Sequence, residues 1–215
     1  MRTVYLHGFA SGPSSSKARY FRERFAEMGV ELETPDLAEG NFEGLTISGQ
    51  LQVVERLAAG EPVRLLGSSM GGYLAALFAA RHPETDAVVL MAPAFGFARR
   101  WPLSLGEERM RKWRETGTLP VYHYGEERLC GVGYRLIEDG AQYEDYPVVT
   151  QRALVFHGRQ DEVVPAQFSI DFAERAPAVE LHVLESDHQL LDVLDFMWSR
   201  IRDLMSPDGG KDVSA

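Results

Sequence analysis

One pentapeptide, Gly67–Ser68–Ser69–Met70–Gly71, constrains this chain more than any other stretch. Before it, Pro62–Val63–Arg64–Leu65–Leu66 reads as an apolar strand. After it, Gly72 and then Tyr73–Leu74–Ala75–Ala76–Leu77–Phe78–Ala79–Ala80 read as a helix of good formers. Passing from strand to helix within so few residues forces the central residue into a strained backbone conformation. Gly67 and Gly71 remove side chains that would collide across the turn. Ser69 then projects at the sheet edge, at the positive end of the helix. Gly72, Ala75, Ala76 and Ala79 let that helix lie close to the sheet. The alternative is an ordinary tight turn with an incidental serine, but strand, G-x-S-x-G and helix in that order is the context the pattern requires. Ser68 sits at the wrong place in it.

The rest of the chain repeats the same rhythm. Short Val- and Leu-rich runs are expected as strands at Thr3–His7, Val30–Thr34, Val63–Gly67, Ala87–Met91, Ala153–His157 and Leu181–Leu184. Most are apolar at consecutive positions, as strands covered on both faces are. Helices are expected at Ser16–Met28, Ile47–Ala59, Met70–Ala80, Ala166–Arg175 and Leu190–Met205. This alternation predicts an α/β fold: a mainly parallel sheet of about six strands with helices on both faces.

One stretch breaks the rhythm. Between Pro93 and Pro147 there is no clear buried strand, only a charged helical segment, Leu105–Glu115, and a Tyr-rich passage, Leu119–Tyr146. The expected organisation is a core of residues 1–92 and 148–205, a small cap or lid at 93–147, and a flexible tail at 206–215. Ligands bind at the carboxyl ends of strands in such sheets, which places the cap over a site. A peripheral subdomain with its own satellite core is the alternative. Trp101, Trp113, Tyr122 and His123 are candidate substrate contacts of the cap. Its basic residues Arg99, Arg100, Arg109, Arg111, Lys112 and Arg114 alternate with Glu107, Glu108 and Glu115. They read as a solvated helix face first and as an anion site second.

Composition excludes several classes. Acidic side chains number 32 against 22 basic, a formal net charge of -10, which argues against a nucleic-acid backbone or an anionic membrane as partner. The single cysteine, Cys130, forms neither an internal disulfide nor a zinc site by itself. Met1–Arg2 leads straight into an apolar strand, so no secretory signal is expected, and no apolar run approaches a membrane span. A cytoplasmic protein follows by default. Oligomeric state is not legible.

A serine hydroxyl needs a base to take its proton, and the base needs an orienting carboxylate. After a nucleophile on such a turn, the acid and then the histidine follow in chain order. Asp161 lies just past the strand Ala153–His157, and His188 just past Leu181–Leu184. Glu162 and Asp187 compete with Asp161, although Asp187 adjoins His188 and reads as a turn residue. His7 and His157 each precede a glycine at a strand end and read as structural. Two N–H donors are needed for an oxyanion. Met70 follows the serine, and Phe9 lies in the loop His7–Gly8–Phe9–Ala10–Ser11–Gly12 after the first strand. Ser11 is a further candidate contact.

Together these residues resemble the α/β-hydrolase superfamily, over nearly the whole chain. The resemblance is nearest to small bacterial esterases of the YqiA type and to the mitochondrial acyl-glucuronide esterase and palmitoyl-protein thioesterase group. It rests on His7–Gly8–Phe9 with Lys17–Ala18, on Gly67–Gly72, on His157–Gly158 with Asp161 and Val164–Pro165, and on Ser186–Asp187–His188. It implies Ser69 as nucleophile, Asp161 as acid, His188 as base, and Phe9 and Met70 at the oxyanion positions. It implies no metal or organic cofactor and a small-molecule ester as substrate, of short to medium acyl length. An acyl thioesterase is the nearest rival. A non-catalytic binding protein on the same fold is a rival of a different class.

Overall fold

A computed structural model describes residues 1–176 and 178–205; the expected tail at 206–215 lies outside the described residues. In chain order the first elements are β1 (Arg2–Leu6), α1 (Ser16–Glu27), β2 (Leu32–Glu33), α2 (Ile47–Ala58), β3 (Val63–Ser68), α3 (Met70–Arg81) and β4 (Ala87–Met91). An insertion follows, with α4 (Phe97–Leu105), α5 (Glu107–Thr116), β5 (Thr118–His123), β6 (Arg128–Gly133) and α6 (Arg135–Gly140). The chain then returns through β7 (Arg152–Gly158), α7 (Gln167–Ala173), β8 (Val179–Leu184), a short 3-10 turn (Leu191–Val193) and α8 (Leu194–Met205).

Six strands form one sheet in the order β2-β1-β3-β4-β7-β8, and every pairing in it is parallel. The apolar runs belong in its middle: β4 is buried at all five positions and β3 at five of six. Neither strand has a solvent face, hence the absence of alternation in their sequences. Helices α1 and α8 cover one face through Phe21, Phe25, Met197 and Ile201. Helices α2, α3 and α7 cover the other through Leu51, Val54, Leu74, Phe78 and Phe172. Burying each such side chain stabilises the fold by about 1.5–3 kcal/mol. Helix α3 runs through this core: every residue from Met70 to Ala79 is buried.

Three expectations change. The edge strand β2 spans only Leu32–Glu33, because it pairs on one side with β1 alone. The insertion carries two strands, β5 and β6, in an antiparallel hairpin that pairs Thr118 with Gly133 and His123 with Arg128. Pro120, Gly131 and Gly133 hide this hairpin from a propensity reading, since Pro and Gly weaken strands. Its aromatic residues build no satellite core. Trp113, Leu119, Val132 and Leu136 join the same buried cluster as α2 and α3. The last helix also begins later than its apolar pattern, because Leu190 adopts φ 54° and the chain passes through the 3-10 turn first.

Candidate active site

The carboxyl ends of β1, β3, β7 and β8 meet at one edge of the sheet. At the end of β3, Ser69 has φ 53° and ψ -115°, a sparsely populated conformation for a residue with a side chain. The flanking glycines make the turn possible. A Cβ at Gly67 would lie 2.1 Å from the carbonyl oxygen of Gly71, and one at Gly71 would lie 2.0 Å from that of Leu6. The Ser69 N–H donates to Met91 O at 2.8 Å, and the Ala94 N–H donates to Ser69 O at 3.0 Å. The turn is thus tied to the end of β4, and the serine has no room to relax.

His188 and Asp161 reach the same point from β8 and β7. His188 Nε2 lies 3.1 Å from Ser69 Oγ, and Nδ1 lies 2.7 Å from Asp161 Oδ2. The Asp161 side chain is fully buried. Its Oδ1 accepts the Val163 and Val164 N–H groups, each at 2.8 Å. Burial alone pushes this carboxyl up. Hydrogen bonds from His157, His188 and Val164 outweigh burial and hold it well below the usual carboxylate range. The two loops touch because Gly158 has no side chain: a Cβ there would lie 2.3 Å from Asp187 O.

The competing carboxylates are placed elsewhere. Glu162 is exposed. Asp187 Oδ1 accepts the Gln189 and Leu190 N–H groups at 2.7 and 3.2 Å, so it shapes its own turn. The loop after β1 runs beside the serine, where a Cβ at Gly8 would sit 3.4 Å from Ser69 Cβ. Met70 is the first residue of α3, and its N–H is one that a helix leaves without an intrahelical partner.

In front of Ser69 and His188 lies a cleft of about 1000 Å³. Gly8, Phe9, Ser11, Lys17, Tyr124 and Glu162 are among its walls. A second cavity, of about 700 Å³, lies by the β2 edge and includes none of these residues. The cap aromatics named from sequence do not line the cleft. Trp113 is buried and donates Nε1–H to Val132 O at 2.9 Å. Trp101 packs between Phe9, Phe97 and Trp113, with ring centroids 5.0, 5.3 and 5.2 Å away. Tyr122 stands half-exposed against Tyr124 at 5.2 Å. His123 is buried edge-on to Phe42 at 4.6 Å. A segment this long has to bury its own large rings, and that claims them. Of the basic residues, Arg111 bridges Glu108 and Glu115 and Arg99 meets Asp145 within the insertion, whereas Arg100 donates to Phe95 O and, outside it, to Val163 O.

Three residues of the site have no catalytic role in the sequence reading. Tyr124 belongs only to the Tyr-rich passage, and His157 reads as structural beside Gly158. Lys17, in the first turn of α1, enters only with the resemblance. Its Nζ donates to Gln189 O at 2.6 Å, next to His188, and burial pushes its ammonium down to about 8. Among the described residues, no three His, Cys, Asp or Glu side chains cluster to hold a metal ion. No described helix is long and apolar enough to cross a membrane.

The sheet order, the turn at Ser69 and the strand-end loops define an α/β hydrolase. More narrowly, the chain belongs to the uncharacterised protein family UPF0227, whose model matches residues 2–205. It is 26% identical to the bovine mitochondrial palmitoyl-protein thioesterase ABHD10 over 210 residues, 89% of this chain and 68% of that one. The rat protein of the same name is 28% identical over 211 residues, 89% of this chain and 70% of that one. Among solved structures, an Agrobacterium vitis S4 protein superposes with a TM-score of 0.83 at 25% identity, covering 95% of this chain and 88% of that one. Est1E from Butyrivibrio proteoclasticus, solved with ferulic acid, superposes at 0.77 with 20% identity, covering 94% and 87%, and shares the fold.

Proposed function

We propose that this protein is a serine hydrolase of carboxylic esters that works through an acyl-enzyme. One observation carries the reading: Ser69 Oγ lies 3.1 Å from His188 Nε2, and Asp161 Oδ2 stands 2.7 Å behind the same imidazole. Ser69 attacks the acyl carbonyl while His188 takes its proton. Asp161 holds the ring in the tautomer whose Nε2 can accept, and stabilises the imidazolium that forms. The Phe9 and Met70 N–H groups receive the developing oxyanion, each contributing roughly 2.7–4 kcal/mol. His188 then protonates the leaving alcohol, and a water molecule repeats the cycle on the acyl-enzyme. Residues 93–147 act as the cap, because Tyr124, Gly125 and Glu127 of that segment line the cleft. The substrates of this reading are esters of short to medium acyl groups.

The names of the mammalian relatives favour a second reading, cleavage of acyl thioesters by the same residues. A fluorophosphonate probe tests the mechanism: it should label Ser69 in the wild type and not in Ser69→Ala, which should also lose turnover of p-nitrophenyl esters. Near-normal turnover by Ser69→Ala overturns the reading. Relative turnover of p-nitrophenyl esters and acyl-coenzyme A of matched chain length then decides between ester and thioester.

A further inference from the structure

A second histidine stands behind Asp161. His157, next to last in β7, is fully buried. Its Nε2 lies 2.7 Å from the carbonyl oxygen of Val164 and 3.1 Å from Asp161 Oδ2. Both neighbours are acceptors, so Nε2 has to carry a proton; an imidazole lone pair there would face two oxygens. On the other side Nδ1 meets Ser169 Oγ at 2.7 Å, and a serine hydroxyl can donate to it. Ser169 is itself fully buried, on α7. The polar contacts therefore converge on Asp161 from two sides, Ser169 and His157 on one and Ser69 and His188 on the other.

The consequence falls on one oxygen. Asp161 Oδ1 is held by two backbone N–H groups, whereas Oδ2 meets only imidazoles, His188 on one side and His157 on the other. A carboxylate fixed at Oδ1 alone can still swing Oδ2 about that anchor. We propose that His157 is a positioning residue of the catalytic machinery: its Nε2–H pins Asp161 Oδ2 in line with His188, and the Ser169 hydroxyl fixes the tautomer that makes this possible. The inference rests on the serine-hydrolase reading of Ser69, His188 and Asp161. It assigns work to a histidine that triad chemistry leaves unused. Buried imidazoles of this kind otherwise serve packing alone, and packing does not require an N–H placed between a backbone carbonyl and a catalytic oxygen.

Leucine and glutamine at position 157 separate the two roles. His157→Leu keeps the bulk and loses the donor, whereas His157→Gln returns an N–H at about the reach of Nε2. His157→Leu should lower kcat about tenfold, well short of the roughly 10⁴-fold loss that follows disruption of a triad acid. KM should stay within about twofold, because His157 is not among the cleft walls. The acid limb of the kcat/KM profile should move to higher pH, since a carboxylate relieved of one donor attracts the His188 proton more strongly. Arg100 and Lys17 also act electrostatically on Asp161 and are unchanged in these variants. His157→Gln should recover most of kcat and return the profile.

Equal losses in the two variants, or a folded His157→Leu protein with unchanged kcat and profile, overturn the proposal. Imidazole ¹⁵N NMR of the wild type supplies a test independent of how the variants fold: His157 should carry its proton on Nε2, and an Nδ1–H tautomer refutes the arrangement. Fluorophosphonate labelling keeps the two readings apart. Unlabelled Ser69 in the wild type sinks the serine-hydrolase assignment, whereas labelled Ser69 with an indifferent His157→Leu sinks only the role of His157.

Discussion

The Tyr124 N–H donates to the Ala10 carbonyl at 2.8 Å, which ties the insertion hairpin to the loop that carries Phe9. Ala10 has φ 51°, so that loop is bent at the point of attachment. Trp101 and Phe42 pack against the Phe9 ring, with centroids at 5.0 and 5.5 Å. The insertion thus contacts the loop of one of the two proposed oxyanion donors and also lines the cleft through Tyr124, Gly125 and Glu127. Tyr124→Pro deletes the N–H, while Tyr124→Ala keeps it and removes the ring. Steady-state kinetics should show kcat about fivefold lower for the proline variant than for the alanine variant, because a misplaced donor costs transition-state stabilisation. Equal values would mean the bond does not matter.

The turn at Ser69 predicts opposite stability effects at neighbouring positions. Ser69 sits at φ 53° with a side chain, a conformation that costs about 1–3 kcal/mol. Ser69→Gly should relieve this, offset by the entropy of glycine in the unfolded chain, for a net gain of about 1 kcal/mol in urea unfolding. It should do so while abolishing turnover. Gly71→Ala should do the reverse, because its Cβ would lie 2.0 Å from Leu6 O, which is backbone and cannot rotate away. A loss of more than about 3 kcal/mol is expected. A Gly71→Ala protein of normal stability would show that the turn is looser than described.

Acid stability should depend on Asp161. Its folded pKa lies below the unfolded value of about 3.9. Below that pH the unfolded state therefore binds more protons than the folded one. The stabilisation is fully present above about pH 4 and is lost as pH falls through the folded value. Urea unfolding at pH 7, 5, 4 and 3 should show the gap between wild type and Asp161→Asn constant from pH 7 to 5 and narrowing from pH 4 to 3. A gap that stays constant down to pH 3 would contradict the assignment of those hydrogen bonds.

At the alkaline end, Lys17 gives a second rise of stability with pH, here because burial disfavours its charged form. Its folded pKa of about 8 lies below the unfolded value of about 10.4. Between the two the unfolded state binds the extra proton, so stability rises with pH across that window. Wild type should gain on Lys17→Met between pH 8 and 10. Because Lys17 holds Gln189 O beside His188, the variant should also lose several-fold in kcat. A stability difference that stays flat across the window would place the ammonium in water.

Two kinds of information separate cleanly in this chain. Its sequence alone is enough for the parallel α/β order, the sharp turn at Ser69 and the strand-end positions of Asp161 and His188. Those depend on contacts within a few residues: apolar runs, helix formers, and the collisions that Gly67 and Gly71 avoid. Only the tertiary structure decided which carboxylate meets His188, because Asp161 and His188 are 27 residues apart and Ser69 and His188 are 119 apart. Glu162 and Asp187 have the same chemistry as Asp161 and nearly the same address. One points to solvent and the other caps its own turn, and no local pattern records that. The same holds for Trp101, Trp113, Tyr122 and His123. Their aromaticity was legible, but whether a ring faces a ligand or a neighbouring ring depends on how the whole insertion packs against α2, α3 and the loop after β1.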